Sequence, residues 1–365
     1  ECLGDCVSLQ GGGSIRRRVA VLAFGFCAPL AAGEPVIQVG LHTNITSARI
    51  GLSGGGACRI SDGARTDSVE VSSTGALSVV LVSSVHVRIG RRVYGLPCRL
   101  EPRPPARLVL SGRCYDGVLR LSTSRGSGFT AVNVLPLEQY LCGVVPYEGA
   151  PAWCDEMLRV QAVAARTWAV ANRGRHRSRG FDVCAGAHCQ VYRGVSRSQH
   201  TRVRRAVLAT RGYVVADNAR NPILAYYHAA CGGCTEDARE VWRSATYRAY
   251  LVSRPCPHCG ESPYGVWTCV VSTARFAQAL RCAGVRVGVV REVRVGRTTS
   301  AGRAHTLQVL GSAGSAVVSA RTLRRILGEN RLKSTRISKI SVSRSTVAFS
   351  GSGWGHGVGL CQWGA

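Results

Sequence analysis

The sequence predicts an α+β fold, on three observations. From Glu34 to about Ser124, short β-type runs are broken by Gly and Ser. Beyond Ala131 the apolar spacing turns helical. Neither a repeated βαβ pattern nor a dinucleotide or P-loop fingerprint occurs anywhere. The chain has 365 residues, 45% hydrophobic and 18% charged, a composition that excludes intrinsic disorder and low-complexity architecture.

Residues 14–33 carry Arg16–Arg18, an apolar run from Val19 to Phe26 and the small residues Ala31–Gly33. That is the layout of a secretory signal peptide, too short to span a bilayer, so an exported protein in an oxidising compartment is expected. A short buried strand is the alternative reading. The runs at 36–41, 76–89 and 107–115 form a small β module, with Pro102, Pro104 and Pro105 marking a turn. Trp153, Met157, Val160, Ala164 and Trp168 predict a helix over 152–173, opened after Pro151 and closed by Gly174. Further helices are expected over 201–210, 272–282 and 320–327, and strands at YVVAD and PILAYYHAA on either side of a polar turn at 218–221. The expected division is 1–33 as extension and leader, 34–124 as β module and 125–365 as the functional domain.

Basic residues number 47 against 20 acidic ones, giving a formal charge of +27, and only Lys333 and Lys339 are lysines. Such a balance attracts nucleic acid, anionic lipid or an acidic polymer. The arginines are nevertheless scattered rather than gathered into a stripe, which a bias toward Arg codons also explains. The 17 cysteines are an odd number, so at least one is unpaired or bound to metal.

Few acids remain as candidates for chemistry. Glu148 lies in GVVPYEGAPAW, a Pro- and Gly-bounded loop between Val145, Tyr147 and Trp153. A carboxyl held among apolar groups keeps its proton and serves as a general acid; a solvated loop glutamate does neither. Glu156, in the first turn of the expected helix, suits the helix dipole instead. His176, Cys184, His188 and Cys189 can supply a tetrahedral zinc site. A Cys184–Cys189 disulfide or a catalytic Cys–His pair would use the same residues. CGGC at 231–234 and CPHC at 256–259 resemble a zinc ribbon, although in an oxidising compartment disulfides Cys231–Cys256 and Cys234–Cys259 are favoured. The terminal GSGWGHGVGLCQWGA sets glycines, which permit close backbone approach, around Trp354, His356, Gln362 and Trp363.

Four segments in order resemble one family: LPLEQYLCGVVPYEGAPAWCDEMLRVQAVAARTWAV, CAGAHCQVY, AYYHAACGGCTEDAREVW and GSGWGHGVGLCQWGA. They are similar to the sporulation stage II D / LytB amidase-enhancer family, from about Tyr115 onward. The resemblance implies a core of that family's type and a peptidoglycan lytic transglycosylase acting on glycan stripped of stem peptides. Its catalytic glutamate falls on Glu148, and its structural zinc on Cys184, His188 and Cys189, with His176 as fourth ligand. Arg166, Tyr227, His228, Gly232, Gly233, Trp354, His356 and Gln362 would bind substrate. Implied partners are peptidoglycan glycan strands and an N-acetylmuramoyl-L-alanine amidase, with no nucleic acid, in the periplasm or cell envelope. A non-catalytic amidase enhancer is the alternative. The resemblance also implies a tail beyond QWGA, so a truncated C-terminus is expected. Here Gly149 and Ala150 follow Glu148 where the family has an apolar residue and proline, and Cys234 and Cys361 replace residues that are not usually cysteine.

Overall fold

Alternation of apolar and polar side chains turns the N-terminal third of the chain into two sheets. In the computed structural model, which describes residues 26–29, 34–149, 152–195, 201–242 and 245–365, seven strands lie in one sheet. Their order is 183–184, 36–45, 129–136, 118–123, 98–102, 56–61 and 66–71. A six-stranded sheet runs 113–115, 108–110, 47–52, 76–83, 86–89 and 92–95. Val39, Ile60, Leu100 and Leu121 from the first join Ile50, Val79 and Val87 from the second in a single buried core.

That core does not stop at the module boundary expected at 124. The strand Phe129–Pro136 pairs antiparallel with Val36–Ile45 on one side and with Val118–Thr123 on the other. Leu141, Val145, Leu158 and Trp168 from the helices that follow pack into the same core. Position 124 is therefore the turn of a hairpin inside one sheet, and burying both faces requires the helices that come after it. The expected leader lies outside the described residues except for Phe26–Pro29, which pair with Tyr213–Ala216.

The helices are α1 (Leu137–Cys142), α2 (Val145–Glu148), α3 (Asp155–Ala171) and α4 (Thr201–Ala209). α3 begins three residues later than the apolar spacing suggests, with Cys154 in extended conformation at its N-cap. A second core lies entirely within 267–349. It joins two three-stranded sheets to the helices Thr273–Cys282 and Ala320–Leu327. Ser272 and Ser319 cap those helices through their side chains, accepting from the N–H three residues on. Among the described residues no helix is long and apolar enough to cross a membrane.

Candidate active site

Glu148 is the last residue of α2 rather than part of a loop, with Pro146 at the start of that short helix. Gly149 follows in extended conformation, and Trp153 folds back over it; a Cβ there would sit 2.7 Å from the indole. The Glu148 carboxyl is partly open to solvent yet walled by protein. Burial raises its pKa above the usual carboxylate range, and the hydrogen bond donated by the Val191 N–H to Oε1 only partly offsets this. No ion pair to it is found among the described residues, and its hydrogen bond from the Val191 N–H falls on Oε1.

Two glutamines frame this carboxyl. Gln362 Nε2 donates to the Glu148 carbonyl at 2.8 Å and to Gln161 Oε1 at 3.0 Å, fixing the C-terminal segment on α2 and α3. Gln190 accepts from Tyr140 Oη at 3.0 Å and donates to Tyr227 Oη at 2.9 Å. Tyr227 keeps its own proton, since burial, then the Glu148 charge, push its pKa well above the ordinary phenol value. Of the residues expected to bind substrate, Tyr227 and Gln362 thus lie near Glu148. Gln190 and Val191 were missed, and Val191 could not have been found, because it acts through its backbone.

Beside Glu148 begins a row of aromatic side chains. Trp153 meets Trp363 edge-on at 6.5 Å, Trp363 meets Tyr264 at 6.5 Å, and Tyr264 meets Trp354 at 4.6 Å. The Lys333 ammonium lies 4.4 Å from the Trp354 ring centroid. The expected tryptophan is therefore one of four rings. Tyr264 and Lys333 gave no sequence signal, since each stands alone in its segment.

Other expected substrate residues take different places. Arg166 is fully buried and holds Glu138 through two bonds, Nε–Oε1 at 2.8 Å and Nη2–Oε2 at 2.6 Å. It also donates to the carbonyls of Val207 and Tyr213. Its donors join α1, α3, α4 and the strand after them, so it is placed as a structural tie away from the Glu148 carboxyl. His228 is buried with Nδ1 3.1 Å from the Val358 carbonyl, and burial, then the Arg303 charge, drive its pKa down to about 3. His356 packs against His228, Tyr226 and Trp242, accepts from the Val358 N–H, and has its pKa pushed well below 6.5 by burial. Both imidazoles stay neutral and brace the C-terminal turn. Gly232 and Gly233 lie against cysteine sulfurs and Ser352, not against Glu148.

His176, Cys184, His188 and Cys189 converge as expected, their ligand atoms all within 4.8 Å of one another. His176 Nε2 is 3.3 Å from Cys189 Sγ, and His188 Nδ1 lies 3.7 Å from Cys184 Sγ. Hydrogen bonding from Cys189, helped by the Gly186 N–H, His188 and His176, lowers the Cys184 pKa, the direction that a metal-ligating sulfur requires. Two imidazoles and two sulfurs at these separations are a donor set able to hold a metal ion, and the cluster leads directly into Gln190 and Val191. The expected Cys234–Cys259 pairing does not match the structure, since Cys234 lies 3.1 Å from the Ser253 hydroxyl and apart from Cys259, whereas Cys231 and Cys256 share one cluster with Cys259 and Cys361. A cavity of about 560 Å³ between α3 and residues 223–226 is apolar and contains none of the expected site residues.

A carboxyl at the end of a short helix, faced by an aromatic row and flanked by cysteine-rich clusters on an α+β scaffold, defines the class of site. The chain belongs to the stage II sporulation protein D family. The family model described as "Stage II sporulation protein" matches residues 125–216, and one described as a domain of unknown function matches 266–359. The chain is 30% identical to stage II sporulation protein D of Bacillus subtilis, over 64% of this chain and 69% of that protein. It is 32% identical to an uncharacterized protein of Brachyspira hyodysenteriae, over 64% of this chain and 61% of that one. It is 28% identical to the amidase enhancer of Bacillus subtilis, over 75% of this chain. The chain spans 61% and 44% of the length of the last two relatives.

Proposed function

We propose that this chain is a peptidoglycan lytic transglycosylase, exported to the cell envelope, that uses Glu148 as its only catalytic carboxyl. The observation that carries the reading is a carboxyl whose pKa is raised by burial and whose one hydrogen bond, from the Val191 N–H, goes to Oε1. Glu148 Oε2 gives its proton to the glycosidic oxygen between N-acetylmuramic acid and N-acetylglucosamine. The muramic acid's own primary hydroxyl then closes on the anomeric carbon, and its proton returns to Glu148. The product is a 1,6-anhydro sugar, and the bound carboxyl ends the cycle protonated. An internal nucleophile already in position needs neither a second carboxylate nor an activated water.

The Trp153–Trp363–Tyr264–Trp354 row offers flat faces to successive sugar rings. Lys333 at its far end suits the lactyl carboxylate left bare when a stem peptide is removed. Binding is expected to weaken with added salt. Zinc held by His176, Cys184, His188 and Cys189 would fix the loop that presents Gln190 and Val191; four protein ligands leave it no open position for chemistry.

A second reading is a non-catalytic enhancer that grips glycan and assists an amidase. The name of the 28% identical relative and an aromatic row that needs no chemistry favour it. Amidase-treated sacculi separate the two. The wild-type chain should release peptide-free 1,6-anhydro glycan fragments detectable by mass spectrometry, and Glu148→Gln should release none while still binding glycan. Absent release from both proteins would leave the enhancer, and equal release from both would overturn the role of Glu148.

A further inference from the structure

We propose that Cys231, Cys256, Cys259 and Cys361 bind a structural zinc ion as four thiolates, separately from the histidine-containing cluster. The four sulfurs lie within 4.8 Å of one another, and Cys231 Sγ is 3.3 Å from Cys259 Sγ. Around a tetrahedral zinc with bonds of about 2.3 Å, sulfurs stand about 3.8 Å apart, close to this spacing. A disulfide would need about 2.05 Å and would satisfy the sulfurs in pairs, not as a group of four.

Two further observations point to a charged occupant. Backbone N–H groups converge on the sulfurs: Cys231 N donates to Cys361 Sγ at 3.2 Å, and Gly233 N donates to Cys259 Sγ at 3.2 Å and to Cys231 Sγ at 3.4 Å. A neutral thiol is a poor acceptor, whereas a zinc-bound thiolate is a good one. Arg303 is 1% exposed, donates to the Cys231 carbonyl at 2.7 Å, forms no ion pair among the described residues, and has its buried Nε unpartnered. A zinc tetrathiolate carries two negative charges, which would answer that buried cation. Binding balances as one zinc ion taken up and four thiol protons released.

The site would also place the machinery around Glu148. The chain pairs Tyr227–His228 with Leu360–Cys361 in parallel, and Gln362 follows directly to bond the Glu148 carbonyl. The ion would therefore hold the C-terminal segment as the other cluster holds Gln190 and Val191. The inference stands on sulfur geometry and is independent of the reaction proposed above.

Alkylation of the native chain, resolved by peptide mass spectrometry, tests it. Cys231, Cys256, Cys259 and Cys361 should resist iodoacetamide until a strong zinc chelator is added, and then react without reductant. Release only by reductant would mean disulfides, and immediate labelling would mean free thiols; either result overturns the proposal. Elemental analysis of a Cys184→Ser/Cys189→Ser chain adds a count: one zinc per chain is expected, and none contradicts it.

Discussion

Glu138 and Glu148 sit on consecutive short helices, both drawn out of bulk water, and the protein treats them in opposite ways. Glu138 receives a fully buried guanidinium on both oxygens and a further bond from the Gly212 N–H. Glu148 receives one backbone N–H and no cation. The paired carboxylate ties helices together through both of its oxygens. The unpaired one has its pKa raised by burial, the direction that donating a proton near neutrality requires. The difference teaches that burial alone does not make a catalytic acid; burial without a counter-charge does.

The comparison breaks first on activity. Glu148→Gln is expected to lower anhydro-product formation by roughly 10²–10⁴-fold, the contribution typical of a positioned acid–base group, with folding intact by circular dichroism. A variant that retains the wild-type rate would remove the distinction between the two residues. Next in size, Arg166→Met should leave Glu138 buried without its partner and cost about 3–5 kcal/mol in urea unfolding. A loss of glycan affinity with unchanged stability would instead restore Arg166 to the substrate groove.

Gln362→Ala strands the Glu148 carbonyl, at about 1–3 kcal/mol by the same unfolding measurement, and should lower turnover more than binding. The pH dependence of stability sharpens the contrast further. Glu148 has its folded-state pKa raised, so the folded chain binds its proton more tightly than the unfolded chain does. Its contribution is complete below the unfolded glutamate pKa and is lost as pH rises through the folded value. Wild-type stability relative to Glu148→Gln should therefore fall across that window, by at most about 1.4 kcal/mol per pH unit. A difference that is flat or rises with pH would contradict it.

Much of this was legible in the sequence, and the rest has identifiable reasons. The helix Ala320–Leu327 matches its prediction to the residue, and Thr273–Cys282 to within one, because apolar spacing and a serine cap agree there. Glu148 and the His176–Cys189 cluster were visible as residue types at suggestive spacing. Arg166 was misplaced because an arginine beside a motif looks alike whether it faces a ligand or a glutamate elsewhere in the chain; only the fold brings Glu138 to it. Cys361 joined a cluster with cysteines more than 100 positions upstream, a closure that local spacing does not reveal. The division at 124 failed because the strand Phe129–Pro136 is shared by both sides of it.

The central claim concerns a single proton. Carbon-13 NMR of the glutamate-labelled chain, with Glu148→Gln used to assign the signal, follows the Glu148 carboxyl directly through a pH titration. The account predicts a midpoint displaced upward from that of an ordinary glutamate, and a midpoint at or below the ordinary value would contradict it.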